Sequence, residues 1–138
     1  MIDKYLEKPY WVIDILPKQV PINSRGQYFK IAHFYRNEPQ YDTICRKFFN
    51  ILMKLNCYED IDAFLHLKEW IHNPAPELLI SWIRERKLLY ILLKSLDAMI
   101  SVDSDDLYMT LYNPNEDLLE FIRTLASSEG LYVWKPEI

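Results

Sequence analysis

Two hydrophobic periods divide this chain, a period of two in its last third and a period of three to four residues through much of the rest. Ala98, Ile100 and Val102 alternate with Met99, Ser101 and Asp103, Ser104-Asp105-Asp106 turns the chain, and Met109 and Leu111 then alternate with Tyr108, Thr110 and Tyr112. That pattern predicts a β-hairpin. Asn113 as N-cap, Pro114 as the first helical position and Glu116 as the third predict a helix with the core stripe Leu118, Leu119, Ile122, Leu125 and Ala126. Gly130 ends it in the left-handed conformation, and Leu131-Tyr132-Val133-Trp134 reads as a closing strand before Pro136.

Upstream, the aromatic and β-branched run Tyr10 to Leu16 predicts a strand closed by Pro17, and Lys18 to Gly26, crowded with proline, asparagine and serine, predicts a loop. Tyr28, Ile31, Ala32 and Tyr35 predict a short amphipathic helix over Gln27 to Tyr35, which Asn37-Glu38-Pro39 ends. A longer helix follows from Tyr41 to Leu55, because Tyr41, Ile44, Cys45, Phe48, Leu52 and Leu55 fall on one stripe. Between Cys57 and His72 the pattern is weakest, and Ala63 to Leu67 is read as a strand with flanking loops. Prolines in a first turn lead into a helix over Leu78 to Arg86, and the apolar run Leu88 to Leu93 reads as a strand covered on both faces.

The order of elements predicts an α+β fold, a mainly antiparallel sheet with helices packed on one face as a two-layer sandwich. Residues 1–138 form one globular domain in this reading, with half of all positions apolar and no internal repeat or composition break.

Charge and composition narrow the function classes. A net charge of −4 without a long basic run disfavours nucleic acid, and no apolar run approaches a membrane span. Cys45 and Cys57 lack CxxC pairing, and no signal-peptide pattern opens the chain, so the expected setting is cytoplasmic with reduced thiols. Only Gly26 and Gly130 are glycines, which excludes the glycine-rich phosphate loops; no cofactor is expected.

Candidate chemistry is sparse. Asp103, Asp105 and Asp106 with Ser104 are weak candidates for a hard divalent cation, but their spacing fits no complete calcium loop and such residues are ordinary in hairpin turns. His33, His66 and His72 show no metal-ligand spacing, Cys45 lies on an apolar helical stripe, and Cys57 has no neighbour that would lower its pKa. Arg84, Arg86 and Lys87 sit where they complement the negative end of a helix.

The distinctive feature is aromatic. If Ile100, Val102, Met109, Leu111, Leu131 and Val133 face the helices, alternation puts Tyr108, Tyr112, Tyr132 and Trp134, with Ser101, Asp103 and Thr110, on the opposite sheet face. That face is either a contact surface or is covered within the monomer by the N-terminal strand, by the loop after it or by cross-strand aromatic pairing.

Tyr112-Asn113-Pro114, Leu118-Leu119, Arg123 to Ala126, Glu129-Gly130-Leu131 and Val133-Trp134, with Trp11 to Pro17 near the start, resemble a group of small bacterial proteins of unknown function. The resemblance implies a bacterial intracellular protein and brings no activity. The functional expectation is therefore a non-enzymatic protein–protein interaction domain that uses the aromatic face, as a homodimer, an adaptor or an inhibitor-like partner of a basic protein. The alternative is a small-molecule-binding protein or modest enzyme, with a Tyr- and Trp-lined pocket between sheet and helices and a polar contact from Asp103, Asp105 or a histidine.

Overall fold

The alternating segments pair as their period dictates. A computed structural model describes residues 2–65 and 68–137. Among the described residues the elements are α1 (Asp3–Leu6), β1 (Tyr10–Asp14), α2 (Tyr28–Tyr35), α3 (Gln40–Asn56), β2 (Asp62–Leu65), β3 (Ile71–His72), α4 (Pro76–Arg84), β4 (Leu89–Leu93), β5 (Ala98–Asp103), β6 (Tyr108–Tyr112), α5 (Glu116–Ser128) and β7 (Tyr132–Trp134). The seven strands form one sheet in the order β3-β2-β4-β5-β6-β1-β7, and all six pairings are antiparallel. The fold is α+β, as predicted.

One face of the sheet presents Ile13, Ala63, Leu89, Ile91, Ile100 and Leu111, all without exposed surface, to the helical layer. Helix α3 supplies seven buried side chains, among them Phe48, Ile51 and Leu52, while Leu79 and Ile83 of α4 and Leu118 and Ile122 of α5 extend the same core. Removal of this apolar surface from water drives the assembly. The Tyr28–Tyr35 helix departs from its expected stripe: Ala32 is buried, but Ile31 is about half exposed.

A buried polar knot joins the helical layer to the β5–β6 turn. Tyr41 Oη lies 2.9 Å from Ser104 Oγ, which donates to the Ile83 carbonyl at 2.6 Å, and Ser104 is 1% exposed. The Arg86 guanidinium lies over the Tyr41 ring at 3.6 Å, and burial pushes the Tyr41 hydroxyl up to about 12.

Several expectations are corrected. The first strand stops at Asp14 rather than Leu16, because the Asp14 carboxylate accepts the Ile15 N–H at 2.7 Å and turns the chain out of the ladder. Helix α1, with no period to announce it, docks on the face opposite the other helices, where Tyr5 packs on Leu92 and Met99 and donates to Asp97 at 2.9 Å. The strand expected over Ala63 to Leu67 runs over Asp62–Leu65, with His66 and Leu67 outside the described residues, and Ile71–His72 adds an edge strand.

The N-cap of α5 is Asn115, which accepts the Leu118 N–H at 2.8 Å, and not Asn113. Asn113 instead has φ 59°, and Asn73 before α4 has φ 44°. Both begin the same sequence, Asn-Pro followed three residues later by an acidic residue and two leucines, Asn73 to Leu79 and Asn113 to Leu119. Asparagine tolerates the left-handed turn and proline then fixes the exit. The two hairpin loops also match, each a one-turn 3-10 segment followed by a left-handed residue, Asp97 or Leu107. A short internal repetition of junctions therefore exists where none was expected.

Removing the Ser104 hydroxyl strands the Tyr41 hydroxyl and the Ile83 carbonyl in the core, so Ser104→Ala should lower the unfolding free energy by about 1–3 kcal/mol. Asn115→Ala should cost about 1 kcal/mol as a lost cap, whereas Asn113→Gly keeps a positive φ that glycine adopts readily and loses only the exposed bond from Asn113 Nδ2 to the Asp97 carbonyl, so it should cost no more than about 0.5–1 kcal/mol. Urea unfolding monitored by circular dichroism checks all three.

Candidate binding groove

Cross-strand register fixes what the second face of the sheet carries. Tyr132, Asp14, Tyr108 and Asp103 form one row across four strands. Trp134, Val12, Thr110, Ser101, Tyr90 and Phe64 form the next. Tyr10, Tyr112, Met99 and Leu92 form the third. The aromatic face expected from alternation is thus assembled as drawn.

It is concave rather than flat. After Asp14 the chain leaves the ladder through a run of bends at residues 15–18, which includes Pro17, and returns over the sheet to a turn opened by Pro21. Ser24 N–H donates to the Pro21 carbonyl at 3.0 Å and Gly26 N–H to Ser24 Oγ at 3.2 Å, closing a tight turn at the top of the loop. Gln19 Oε1 accepts the Glu137 N–H at 3.0 Å and ties the loop to the chain beyond β7. Loop, α1 and the start of α2 wall in a groove of about 860 Å³ floored by Val12, Tyr108, Thr110, Tyr112 and Trp134.

Aromatic residues dominate it. Tyr10 and Tyr112 rings pack at a centroid distance of 5.7 Å, and Tyr28 and Phe29 meet edge to face at 5.4 Å. The rim leaves Ile22 fully exposed and Phe29 82% exposed. Asp14 is the acidic residue of the lining, and no lysine or arginine lines the groove. Burial pushes the Asp14 carboxyl above the ordinary carboxylate range, against the Leu16 and Ile15 backbone N–H groups that hold it down. Trp134 Nε1 is buried with no hydrogen-bond partner of good geometry among the described residues, yet it is near enough to the Asp14 carboxylate to help hold that group down.

Next to Tyr108, beyond the lining, burial and then the Asp106 carboxylate push Asp103 up to about 6. Neither Asp14 nor Asp103 forms a salt bridge among the described residues, whereas Asp105 and Asp106 pair with Arg86 at 3.0 Å and Arg36 at 3.2 Å.

Of the residues singled out from sequence, Tyr108, Tyr112 and Trp134 line the groove, and Tyr132 lies on the same face but outside it, 48% exposed. The acidic turn is divided: Asp105 and Asp106 are held by arginines, and Asp103 faces the aromatic side. Among the described residues no group of three or more His, Cys, Asp or Glu side chains is placed to hold a metal ion. His72 bonds Asp62 at 2.8 Å on the far edge of the sheet, and His66 lies outside the described residues. Cys45 is buried, its thiol pushed up by that burial, and Cys57 is exposed. The helix-end cations stay solvent-accessible, and two of them also pair with carboxylates, Arg84 with Asp42 and Glu38 and Arg86 with Asp105.

The alternative pocket was expected between sheet and helices, but the groove lies on the other face, and its acidic contact is Asp14 rather than Asp103, Asp105 or a histidine. Asp14, Ile22 and Phe29 escaped the sequence reading. Their signal was an aspartate closing an aromatic strand immediately ahead of a proline-spaced loop.

Asp103 makes stability depend on pH with a definite sign. Its ordinary value is 3.8 and its folded value about 6, so the protonated form contributes stability that is full below about pH 4 and lost as the pH rises to about 6. Solvent screening at this half-buried position reduces the penalty of the ionised form to about 1 kcal/mol. Asp103→Asn should therefore raise the melting temperature by about 3–6 °C at pH 7.5 and leave it nearly unchanged at pH 4, measured by calorimetry at both.

No helix among the described residues is long and apolar enough to cross a membrane. No protein-family model, curated protein or solved structure matches the chain.

Proposed function

We propose that this chain acts by binding rather than by catalysis, taking an apolar segment of a partner protein into the groove on the second sheet face. The observation that carries the reading is the exposed apolar rim, Ile22 and Phe29, continuous with an aromatic floor. Large apolar side chains left in water cost free energy that a partner recovers by covering them, and aromatic residues are enriched where partners meet. Ile31 and Phe34, each about half exposed on α2, extend the same apolar character beyond the groove. A second reading, a small-molecule site, draws on the concavity, since about 860 Å³ lies within the usual range of ligand pockets. Thermal shift against metabolites, with a reproducible rise in midpoint, would favour it.

A photo-crosslinking benzophenone residue in place of Phe29 tests the first reading in cells of the source organism. Phe29 should capture a defined protein, while the same residue in place of Tyr58, 74% exposed on the helical side, should not. Capture at both positions, or at neither, overturns the reading. Ile22→Ser with Phe29→Ser should abolish capture from a third rim position, Tyr28. Because both side chains are exposed, that pair should change stability by no more than about 0.5 kcal/mol per site.

A further inference from the structure

The groove combines an uncompensated carboxylate with aromatic walls. Asp14 accepts the Ile15 N–H at 2.7 Å and is steadied further by the Leu16 N–H and the Trp134 indole, all neutral donors, and it forms no salt bridge among the described residues. Its register neighbour Tyr108 is flanked on the other side by Asp103, which also lacks a cationic partner. The two carboxylates thus bracket one phenol ring across adjacent strands, roughly 10 Å apart from strand spacing alone. Removing a carboxylate from water without a counter-charge is costly, and the fold satisfies the neighbouring Asp105 and Asp106 with arginines while leaving these two unpaired.

The missing complement is positive, and the walls say which kind. A divalent ion is held by several carboxylates, whereas Asp14 is the one carboxylate among the described lining residues, beside the neutral oxygens of Gln19, Ser24, Thr110 and the tyrosines. An ammonium or guanidinium on an apolar stem gains from both parts, Coulomb attraction and charged hydrogen bonds to the carboxylate and cation–π attraction to tyrosine and phenylalanine faces. We propose that the groove recognises a lysine or arginine side chain flanked by apolar residues in the partner segment, its head group docking between Asp14 and the Tyr108 ring. The inference rests on the reading of the groove as the binding site and specifies the chemistry of its occupant. A net charge of −4 steers a basic segment toward the site.

The test separates the two layers. A degenerate hexapeptide library, equilibrated with the intact protein and read by mass spectrometry of the retained fraction, should be enriched at least fivefold in peptides that hold lysine or arginine next to apolar residues. In parallel, calorimetric titration with 4-phenylbutylammonium, 4-phenylbutanol and 4-phenylbutyrate should show the ammonium at least tenfold tighter than the alcohol and the carboxylate weakest. Asp14→Asn should erase both preferences while the affinity for the alcohol stays within twofold, and the wild-type series decides the matter even where that variant fails to fold. Apolar peptides retained without basic enrichment, and alcohol bound as tightly as ammonium, overturn the cation preference and leave the groove reading standing. Binding of the ammonium with no peptide retained overturns the protein partner. No binding of any probe at millimolar concentration overturns both.

Discussion

Burial of one face of the central strands under α3 is the interaction on which the rest of the structure depends. Ile13, Ile91, Ile100 and Leu111 reach the helical layer only if their strands keep a strict period of two, since a slip of one residue would put Val12, Thr110 and Ser101 against α3 instead. The same strictness decides what the other face carries. Every alternate side chain is assigned by default to the side without α3, α4 and α5, and the chain has filled those positions with rings, small hydroxyls, the aliphatic side chains of Val12, Leu92 and Met99, and the carboxylates of Asp14, Asp62 and Asp103.

That division explains what could be read in advance. Period-two alternation in β5 and β6 and the stripes of α3 and α5 are local patterns enforced by burial, so the fold class and the aromatic face were legible. The boundaries that moved were set by interactions local patterning does not contain. Asp14 ends β1 through a side-chain bond to the next backbone N–H, and α1 is fixed by Tyr5 reaching Asp97 across the sheet. The groove was illegible for a related reason. Its walls come from α1, residues 15–27 and the start of α2, and the path of that loop over the sheet depends on β1 lying between β6 and β7, a topology that no run of apolar residues announces.

The second sheet face also carries a cost to stability. Asp103 retains its proton to about pH 6, and Asp14 is held above the ordinary range by burial, so both carboxylates tax the folded state near neutral pH. Elsewhere Ser104 and Tyr41 satisfy each other, and Arg36 and Arg86 meet the rest of the acidic turn. Groups that a fold tolerates at a cost concentrate where a ligand can repay it.

The position of β1 has a kinetic consequence. Tyr10 pairs with Tyr112 and Val12 with Trp134, so β1 can be seated only once β6 and β7, far along the sequence from it, have been made. Contacts of such long sequence separation close late and slowly. The helical layer and the β4–β5–β6 meander can organise during translation, whereas the floor of the groove, which needs β1, β6 and β7 together, is completed last. A newly made molecule therefore gains its groove in the same step that joins β1, β6 and β7, and a chain in which β1 is not yet seated lacks that concavity.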